Sequence, residues 1–146
     1  MEIRFENKVA FITGAAGGIG YAAARMFAEA GASVVMADLD SRVTDRAKEL
    51  EAEGHNAIGI RCDVSDEAQV KAAVEKAVAV FGKLDIAYNN VGIHAAVRED
   101  LAETEGWDFD RVISVNLRGV WNCMKYELVE MKKHGKGAIV NCSSQG

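Results

Sequence analysis

The chain has 146 residues, of which 49% are hydrophobic and 27% are charged, and its formal net charge at pH 7 is −5. This is the composition of one folded domain rather than of a disordered segment. The negative balance and the lack of a basic block argue against nucleic acid as a partner. No apolar signal core opens the chain and no apolar run reaches membrane-spanning length, so we expect a cytoplasmic protein without a membrane partner.

Cysteine and histidine spacing favours neither a disulfide framework nor a metal site. The three cysteines, Cys62, Cys123 and Cys142, are odd in number and far apart in the chain. The three histidines are scattered and form no ligand pair. Cys62 and Cys142 fall in or beside predicted strands, which favours buried, reduced thiols. We therefore expect no metal.

Hydrophobic strands and amphipathic helices alternate along the chain. The first helix ends at Gly31, and Asp40 or Ser41 caps the second. Ser65 is expected to start the third, and the fourth runs from about Glu105 to Lys133 after a loop over 93–103. This alternation predicts an α/β fold with a doubly wound parallel sheet in the order 3-2-1-4-5. The predicted strands cover residues 9–13, 33–38, 57–62, 84–88 and 138–142.

A glycine cluster lies between the first strand and the first helix, within Val9–Gly20. A turn of this kind lets a ligand approach the backbone closely, and the helix start favours a phosphate. We therefore expect Gly14–Gly20 to hold the pyrophosphate of a dinucleotide. The glycines fit three spacings, namely Gly14/Gly18/Gly20, Gly14/Gly17/Gly20 and Gly18/Gly20/Ala23, and a plain strand-to-helix turn is the alternative.

Polar residues follow each predicted strand and should share one edge of the sheet. Asp38 ends the second strand, where a carboxylate can accept both ribose hydroxyls of an adenosine and repel a 2′-phosphate. No Arg or Lys stands in the glycine turn, and Leu39 rather than a cation follows Asp38. The pattern favours NAD over NADP, although a solvated Asp that caps the next loop remains the alternative. The other residues at this edge are Thr13–Gly20, Asp63, Asn90 and Ser144.

Several motifs in this order resemble the N-terminal part of the short-chain dehydrogenase/reductase family, in its single-domain kind. The resemblance covers about Lys8 to Gly146. It implies a Rossmann-like dinucleotide-binding domain. The matching segments are Thr13-Gly14-x-x-x-Gly18-Ile19-Gly20, Asp38, Cys62-Asp63-Val64, Asn89-Asn90-Val91-Gly92, Asn116 within Val115-Asn-Leu-Arg-Gly119, and Ile139-Val-Asn-Cys-Ser-Ser144.

The resemblance implies hydride transfer between NAD(H) and a small secondary alcohol or ketone. Asn116, which we expect to be buried in the middle of its helix, would hold a water in a proton relay, although a structural Asn is the alternative. Ser144 would hydrogen-bond the substrate oxygen. Val91 departs from the alanine usual in the family. The resemblance also implies where the cofactor binds: the glycine turn would lie at the pyrophosphate, Asp38 at the ribose, and Asp63 and Val64 at the adenine. The full implied set of cofactor-binding residues is Gly14, Gly18, Ile19, Gly20, Asp38, Leu39, Asp63, Val64, Asn90, Val91 and Gly92.

The family's proton donor, a tyrosine in Tyr-x-x-x-Lys, is absent from these 146 residues. Without it no group is placed to protonate the alkoxide. We expect residues 1–146 to be one dinucleotide-binding domain that stops before the Tyr-x-x-x-Lys segment, without the C-terminal strands and helices. A non-catalytic NAD-binding module and a purely structural fragment are the alternatives. The resemblance also implies a homo-oligomer, a dimer or tetramer, that pairs through the helix with Asn116.

Overall fold

A computed structural model describes residues 3–96 and 100–144; residues 97–99 of the predicted loop and the final Gln145 and Gly146 lie outside the described residues. The described residues form five parallel strands and five α-helices, with one helix after each of the first three strands and the last two helices between the fourth and fifth strands. A 3₁₀ turn at Leu101–Glu103 and a π-helical segment at Ser114–Gly119 interrupt the second half. The elements are β1 (Val9–Thr13), α1 (Gly18–Glu29), β2 (Ser33–Asp38), α2 (Arg42–Ala52), β3 (Ala57–Arg61), α3 (Glu67–Phe81), β4 (Ile86–Asn89), α4 (Gly106–Ile113), α5 (Val120–Lys133) and β5 (Ala138–Asn141).

The sheet order is β3-β2-β1-β4-β5, and every neighbouring pair is parallel. This confirms the predicted order and the doubly wound, Rossmann-like class. Thr13 pairs with Ala37 and Asn89 pairs with Asn141, so the strands finish at one edge of the sheet. The loops that follow the strands meet there.

Two apolar layers cover the two faces of the sheet. All five residues of β1 are buried, as expected for a central strand packed on both sides. Phe11 faces the layer beneath α3 and α5, whereas Ile12 faces the layer beneath α1 and α2. Burial decreases toward β5, whose Val140 is 56% exposed. The core therefore lies at the middle of the sheet and leaves one edge strand open.

Several predicted boundaries were wrong by one or two residues. Helix α3 is capped by Asp66 rather than by Ser65, because the Asp66 carboxylate accepts the N–H groups of Ala68 and Gln69 at 3.0 and 3.2 Å. At α2, the Ser41 side chain makes no capping bond, and Asp40 accepts the N–H of Arg42 instead. Strand β4 begins at Ile86 and not at residue 84, while β3 and β5 each end one residue early.

The predicted helix over 105–133 is continuous in its backbone dihedrals, but it is not uniform. It begins at Gly106, and its Ser114–Gly119 segment is π-helical. Such segments insert one residue per turn and are often found at functional sites. Here the segment contains Asn116, and Gly119 within it lies so near Val64 that an added Cβ would be 2.7 Å from the Val64 side chain.

Candidate active site

The glycine turn after β1 requires three of its four glycines. Gly14 and Gly18 have positive φ values of 68° and 55°, which disfavour other residues. A Cβ on Gly20 would lie 2.0 Å from the carbonyl oxygen of Gly14, so only glycine fits there. Gly17 is extended, with φ −172°, and has open space around it. The structure therefore selects the Gly14/Gly18/Gly20 spacing from the three that the sequence left open.

Helix α1 begins directly in this turn and has no side-chain cap. Its first N–H groups, from Gly18 onward, have no partner one turn earlier in the helix, and they carry the positive end of the helix dipole. Ile19 in this first turn is 68% exposed. Backbone donors beside glycines without Cβ atoms form a cradle that fits a phosphate group.

Asp38 joins the glycine turn to the loop after β2. One carboxylate oxygen accepts the N–H of Ala16 at 3.0 Å, and the other accepts the N–H of Asp40 at 2.9 Å. Each carboxylate oxygen has more than one lone-pair site, so Asp38 keeps acceptor capacity for a ligand hydroxyl. The sequence interpretation required Asp38 to lie close to the glycine turn, and it does.

A cavity of about 580 Å³ lies along this edge of the sheet, within the size range of small-molecule sites. Eight of the predicted cofactor residues line it, whereas Gly18, Ile19 and Gly20 lie at the start of α1 outside the lining. Sequence reasoning missed four lining residues. Cys62 follows β3 directly and could have been found by its position, but Asp40, Ile93 and Val115 gave no signal. The eight predicted residues are Gly14, Asp38, Leu39, Asp63, Val64, Asn90, Val91 and Gly92.

The loops after β3 and β4 are held by side-chain bonds to the backbone. Asp63 accepts the N–H and the hydroxyl of Ser65 at 2.9 and 2.6 Å. The N–H of Asn90 donates to the Thr13 hydroxyl at 3.0 Å, which ties the end of β4 to the end of β1. These contacts shape the cavity before any ligand enters.

Asn116 makes two hydrogen bonds to the backbone of one residue. Its Oδ1 accepts the N–H of Ile93 at 2.9 Å, and its Nδ2 donates to the Ile93 carbonyl at 2.8 Å. Gly92 lies close by, since an added Cβ would be 3.8 Å from Oδ1. The sequence interpretation placed this Asn in a buried position, but it is exposed. Its pairing with the Ile93 backbone supports the structural alternative, and it fixes the loop that lines the cavity.

Ser144 is exposed and is not among the residues that line the cavity. It lies three positions beyond the end of β5. The site therefore brings the predicted cofactor residues together but leaves the predicted substrate-binding hydroxyl outside them.

Three arginines reach the Asp38 end of the cavity from α2 and β3, and sequence reasoning overlooked them. Arg42 pairs with Asp40 at 2.7 Å. Arg46 pairs with Glu49 at 3.0 Å and also donates to the Ala16 carbonyl at 3.4 Å, and Arg61 donates to the Leu39 carbonyl at 3.1 Å. Arg46 and Arg61 are distant in sequence from the backbone they contact, so only the fold reveals them, whereas Arg42 follows Asp40 by two residues.

A buried polar pair lies under the ends of β4 and β5. Glu127 on α5 is fully buried, and one of its oxygens accepts from Asn89 Nδ2 at 3.0 Å. The same amide nitrogen donates to Asn141 Oδ1 at 3.0 Å. Glu127 Oε1 and Asn89 Oδ1 have no partner. Burial raises the pKa of Glu127 to about 7, so the neutral acid is favoured below neutrality.

The cysteines are free thiols. Burial raises the pKa of Cys62 to about 11, which keeps it protonated and unreactive although it lines the cavity. Cys142 is exposed, so the expectation that it is buried was wrong. Within residues 3–96 and 100–144, no three His, Cys, Asp or Glu side chains are grouped as a metal site would need. Across the same residues no helix is both long and apolar enough to span a membrane.

Comparison with known proteins decides the family. Residues 8–146 match the family described as short chain dehydrogenase. The chain belongs to the short-chain dehydrogenase family. It is 45% identical over 140 residues to cis-4-hydroxycyclohexanecarboxylate dehydrogenase of Sinomonas cyclohexanicum, with 96% of this chain and 56% of that protein covered.

Two further dehydrogenases are similar to nearly the whole of this chain, and the match again covers little more than half of each relative. Cyclohexanol dehydrogenase of Acinetobacter sp. (strain SE19) is 42% identical over 147 residues, with 99% of this chain and 57% of that protein covered. Borneol dehydrogenase, mitochondrial, of Lavandula x intermedia is 42% identical over 142 residues, with 97% and 53% covered. The chain thus spans about half the length of the relatives it matches.

Proposed function

We propose that these residues are the cofactor-binding part of an oxidoreductase that transfers a hydride between NAD(H) and a secondary alcohol or ketone. The single observation that carries the proposal is the cavity at the ends of the strands, which joins the glycine cradle to the Asp38 carboxylate. The family match and the dehydrogenase names of the relatives support the same chemistry.

The residues present fit a dinucleotide. Gly14 and Gly20 let the turn close tightly on itself and against Asn90, and the uncapped N-terminus of α1 supplies donors and positive potential for a pyrophosphate. Asp38 would accept the adenosine ribose hydroxyls, while Asp63 and Val64 would flank the adenine. Asn90, Val91 and Gly92 would lie along the remainder of the cofactor. When bound, the nicotinamide supplies the hydride chemistry.

This chain's own catalytic contribution would come from Ser144 and Asn116. A hydroxyl held after a strand can donate to the substrate oxygen as negative charge develops on it. Asn116 keeps one lone pair on Oδ1 beyond its bond to Ile93, and that lone pair could accept from a relay water. Ser144 is exposed after the end of β5, outside the lining of the cavity that would hold the cofactor.

The proposal makes different predictions for cofactor binding and for catalytic turnover by these residues. Residues 1–146 contain no Tyr-x-x-x-Lys, so we expect them alone to bind the dinucleotide without oxidising an alcohol. A non-catalytic NAD-binding module is the second candidate. Sequencing the coding region beyond residue 146 distinguishes the two, since the enzyme requires Tyr-x-x-x-Lys there and the module does not.

Titration of NADH by its fluorescence tests the cofactor site. We expect saturable binding, and we expect Asp38→Ala to weaken it by roughly tenfold or more, because the ribose hydroxyls lose a charged acceptor. Asp45→Ala is the matched control, since Asp45 lies on α2 and is 76% exposed. If the unmodified chain bound no NADH, or if Asp38→Ala bound it equally well, the proposal would fail.

We also propose a homo-oligomer that pairs through the long helix. Apolar side chains on α4, the π-helical segment and α5 are open to solvent. Phe109, Leu117 and Trp121 are 60%, 64% and 49% exposed. Exposed apolar residues on a helix often mark a protein–protein contact. Sedimentation of the complete protein would show a dimer or tetramer if this holds.

A further inference from the structure

We propose that Asp40 enforces the preference for the unphosphorylated dinucleotide by holding the guanidinium of Arg42, which would otherwise be free to bind a 2′-phosphate. This inference rests on the proposed function and deepens it, because it concerns the ligand of the same cavity. It assigns a specificity role to a residue that acts through its neighbour.

Asp40 holds Arg42 with both of its carboxylate oxygens. Oδ2 accepts from Arg42 Nε at 2.8 Å and lies 2.7 Å from the terminal nitrogen of the same guanidinium. Oδ1 accepts the backbone N–H of Arg42 at 2.9 Å. Two nitrogens of the guanidinium thus meet one carboxylate oxygen, which orients the Arg42 side chain toward Asp40. The Nε side of the Arg42 guanidinium is therefore engaged by Asp40 and not turned to a ligand.

The pair stands at the ribose end of the cavity. Asp40 lines the cavity with Asp38, and its N–H donates to the Asp38 carboxylate at 2.9 Å. The negative charge of Asp38 also contributes to raising the pKa of Arg42, after the larger effect of Asp40. Arg42 thus lies within electrostatic reach of the carboxylate that would receive the ribose.

The other two arginines at this end are engaged differently. Arg46 is paired with Glu49 on its own helix, and Arg61 donates to the Leu39 carbonyl. Neither is bound to a carboxylate that lines the cavity. Among these three arginines, Arg42 is the one that a change within the cavity lining would release.

The experiment compares NAD⁺ and NADP⁺ dissociation constants at one salt concentration for four chains: unmodified, Asp40→Asn, Asp40→Asn with Arg42→Ala, and Asp40→Asn with Arg61→Ala. We expect Asp40→Asn to shift the ratio of the two constants toward NADP⁺ by roughly tenfold, as one new charge-assisted bond would. Adding Arg42→Ala should cancel the shift. Adding Arg61→Ala removes an equal charge nearby and should leave it in place.

A ratio unchanged in Asp40→Asn would overturn the inference while leaving NAD⁺ binding intact. A shift that survived Arg42→Ala would overturn it too, since relief of repulsion alone would then explain the gain. Asp40→Glu can still pair with Arg42 and should keep the original ratio.

Arg42→Ala alone provides a check that leaves Asp40 in place. It should not weaken NADP⁺ relative to NAD⁺, and a selective loss of NADP⁺ affinity would show that Arg42 already serves the phosphate, which overturns the inference. If the unmodified chain bound neither nucleotide, the proposed function would fail and this inference with it.

Discussion

At single positions in the glycine turn, the space around the Cβ direction determines which residue types the fold tolerates. Gly20 has no room for a side chain because the Gly14 carbonyl oxygen occupies the position of its Cβ. Gly17 stands three residues earlier in the same turn, yet its Cβ direction is open. Two glycines that look alike in the sequence therefore have different tolerance.

Replacement of these two glycines by alanine tests the difference. Gly20→Ala should lower the free energy of unfolding by about 1–3 kcal/mol, because the backbone of the turn must shift, and it should weaken NADH binding. Gly17→Ala should change stability by about 0.5 kcal/mol or less. Urea denaturation followed by circular dichroism measures both. Equal losses in the two variants would contradict the steric explanation.

The buried Glu127 should make the free energy of unfolding depend on pH. Its pKa in the folded chain is about 7, raised from an ordinary value of 4.5, so the folded state holds the proton more tightly. The neutral acid therefore stabilises the fold fully below pH 4.5, and this contribution is lost as pH rises through 7. Over that range the unfolding free energy should fall by about 3 kcal/mol.

Glu127→Gln should remove this pH dependence, because an amide does not ionise. The amide can accept a hydrogen bond from Asn89 and can donate one to the unpartnered Asn89 Oδ1. The variant should match the unmodified chain at pH 5 and exceed its stability at pH 8. Glu51→Gln, at an exposed position of α2, is the control and should retain the original profile. A Glu127→Gln curve parallel to that of the unmodified chain would contradict the assignment.

Among the secondary-structure elements, the hydrogen bonds that cap helix N-termini contribute to the stability of the fold. Asp66 caps α3 with two backbone bonds, and those bonds lower the pKa of its carboxyl group. Ser41 occupies the equivalent position at α2 without making such a bond. The sequence predicted Ser65 at the start of α3 and Asp40 or Ser41 at the start of α2, whereas in the structure the accepting carboxylates are those of Asp66 and Asp40.

The expected difference is measurable. Asp66→Ala should lower the unfolding free energy by about 1 kcal/mol, the usual effect of a lost N-cap. Ser41→Ala should have a smaller effect, about 0.5 kcal/mol or less, since no capping bond is lost. Thermal unfolding of the two variants at pH 7 provides the comparison. A larger loss for Ser41→Ala would show that the cap had been assigned to the wrong helix.

At the scale of the whole molecule, the open edge of the sheet at β5 can affect association between chains. Among the residues that the structure describes, strand β5 has one neighbouring strand, β4. Val140 on β5 also borders an apolar groove of about 630 Å³ with Phe5 and Met26. An unpaired edge with exposed apolar side chains invites pairing with another chain. Residues 1–146 expressed alone should therefore associate in a concentration-dependent way.

Val140→Lys should reduce this association, because a charged edge strand opposes intermolecular pairing. Val80→Lys is the matched control: Val80 lies on helix α3 rather than on an edge strand, and it is 50% exposed. Sedimentation velocity over a range of concentrations measures the outcome. If both lysine variants reduced association equally, general charge repulsion and not the edge would be responsible.

Much of the architecture could be predicted from the residues alone. Strand-to-helix alternation and the buried run of β1 gave the sheet order, because local periodicity and right-handed crossovers leave few arrangements. The same rule placed Gly14, Asp38, Asp63 and Asn90 at one edge. Boundaries were less accurate, since one or two residues at a strand end depend on neighbours rather than on local preference.

Only the tertiary structure decided what those residues touch. Asp38 bonds Ala16, Asn116 bonds Ile93, and Glu127 is buried against Asn89, all through contacts between distant parts of the chain. Arg46 likewise reaches the Ala16 carbonyl across 30 residues of sequence. Periodicity reports which face of an element is apolar, but a hydrogen bond depends on where two elements meet in space, and the packing of helices on the sheet determines that.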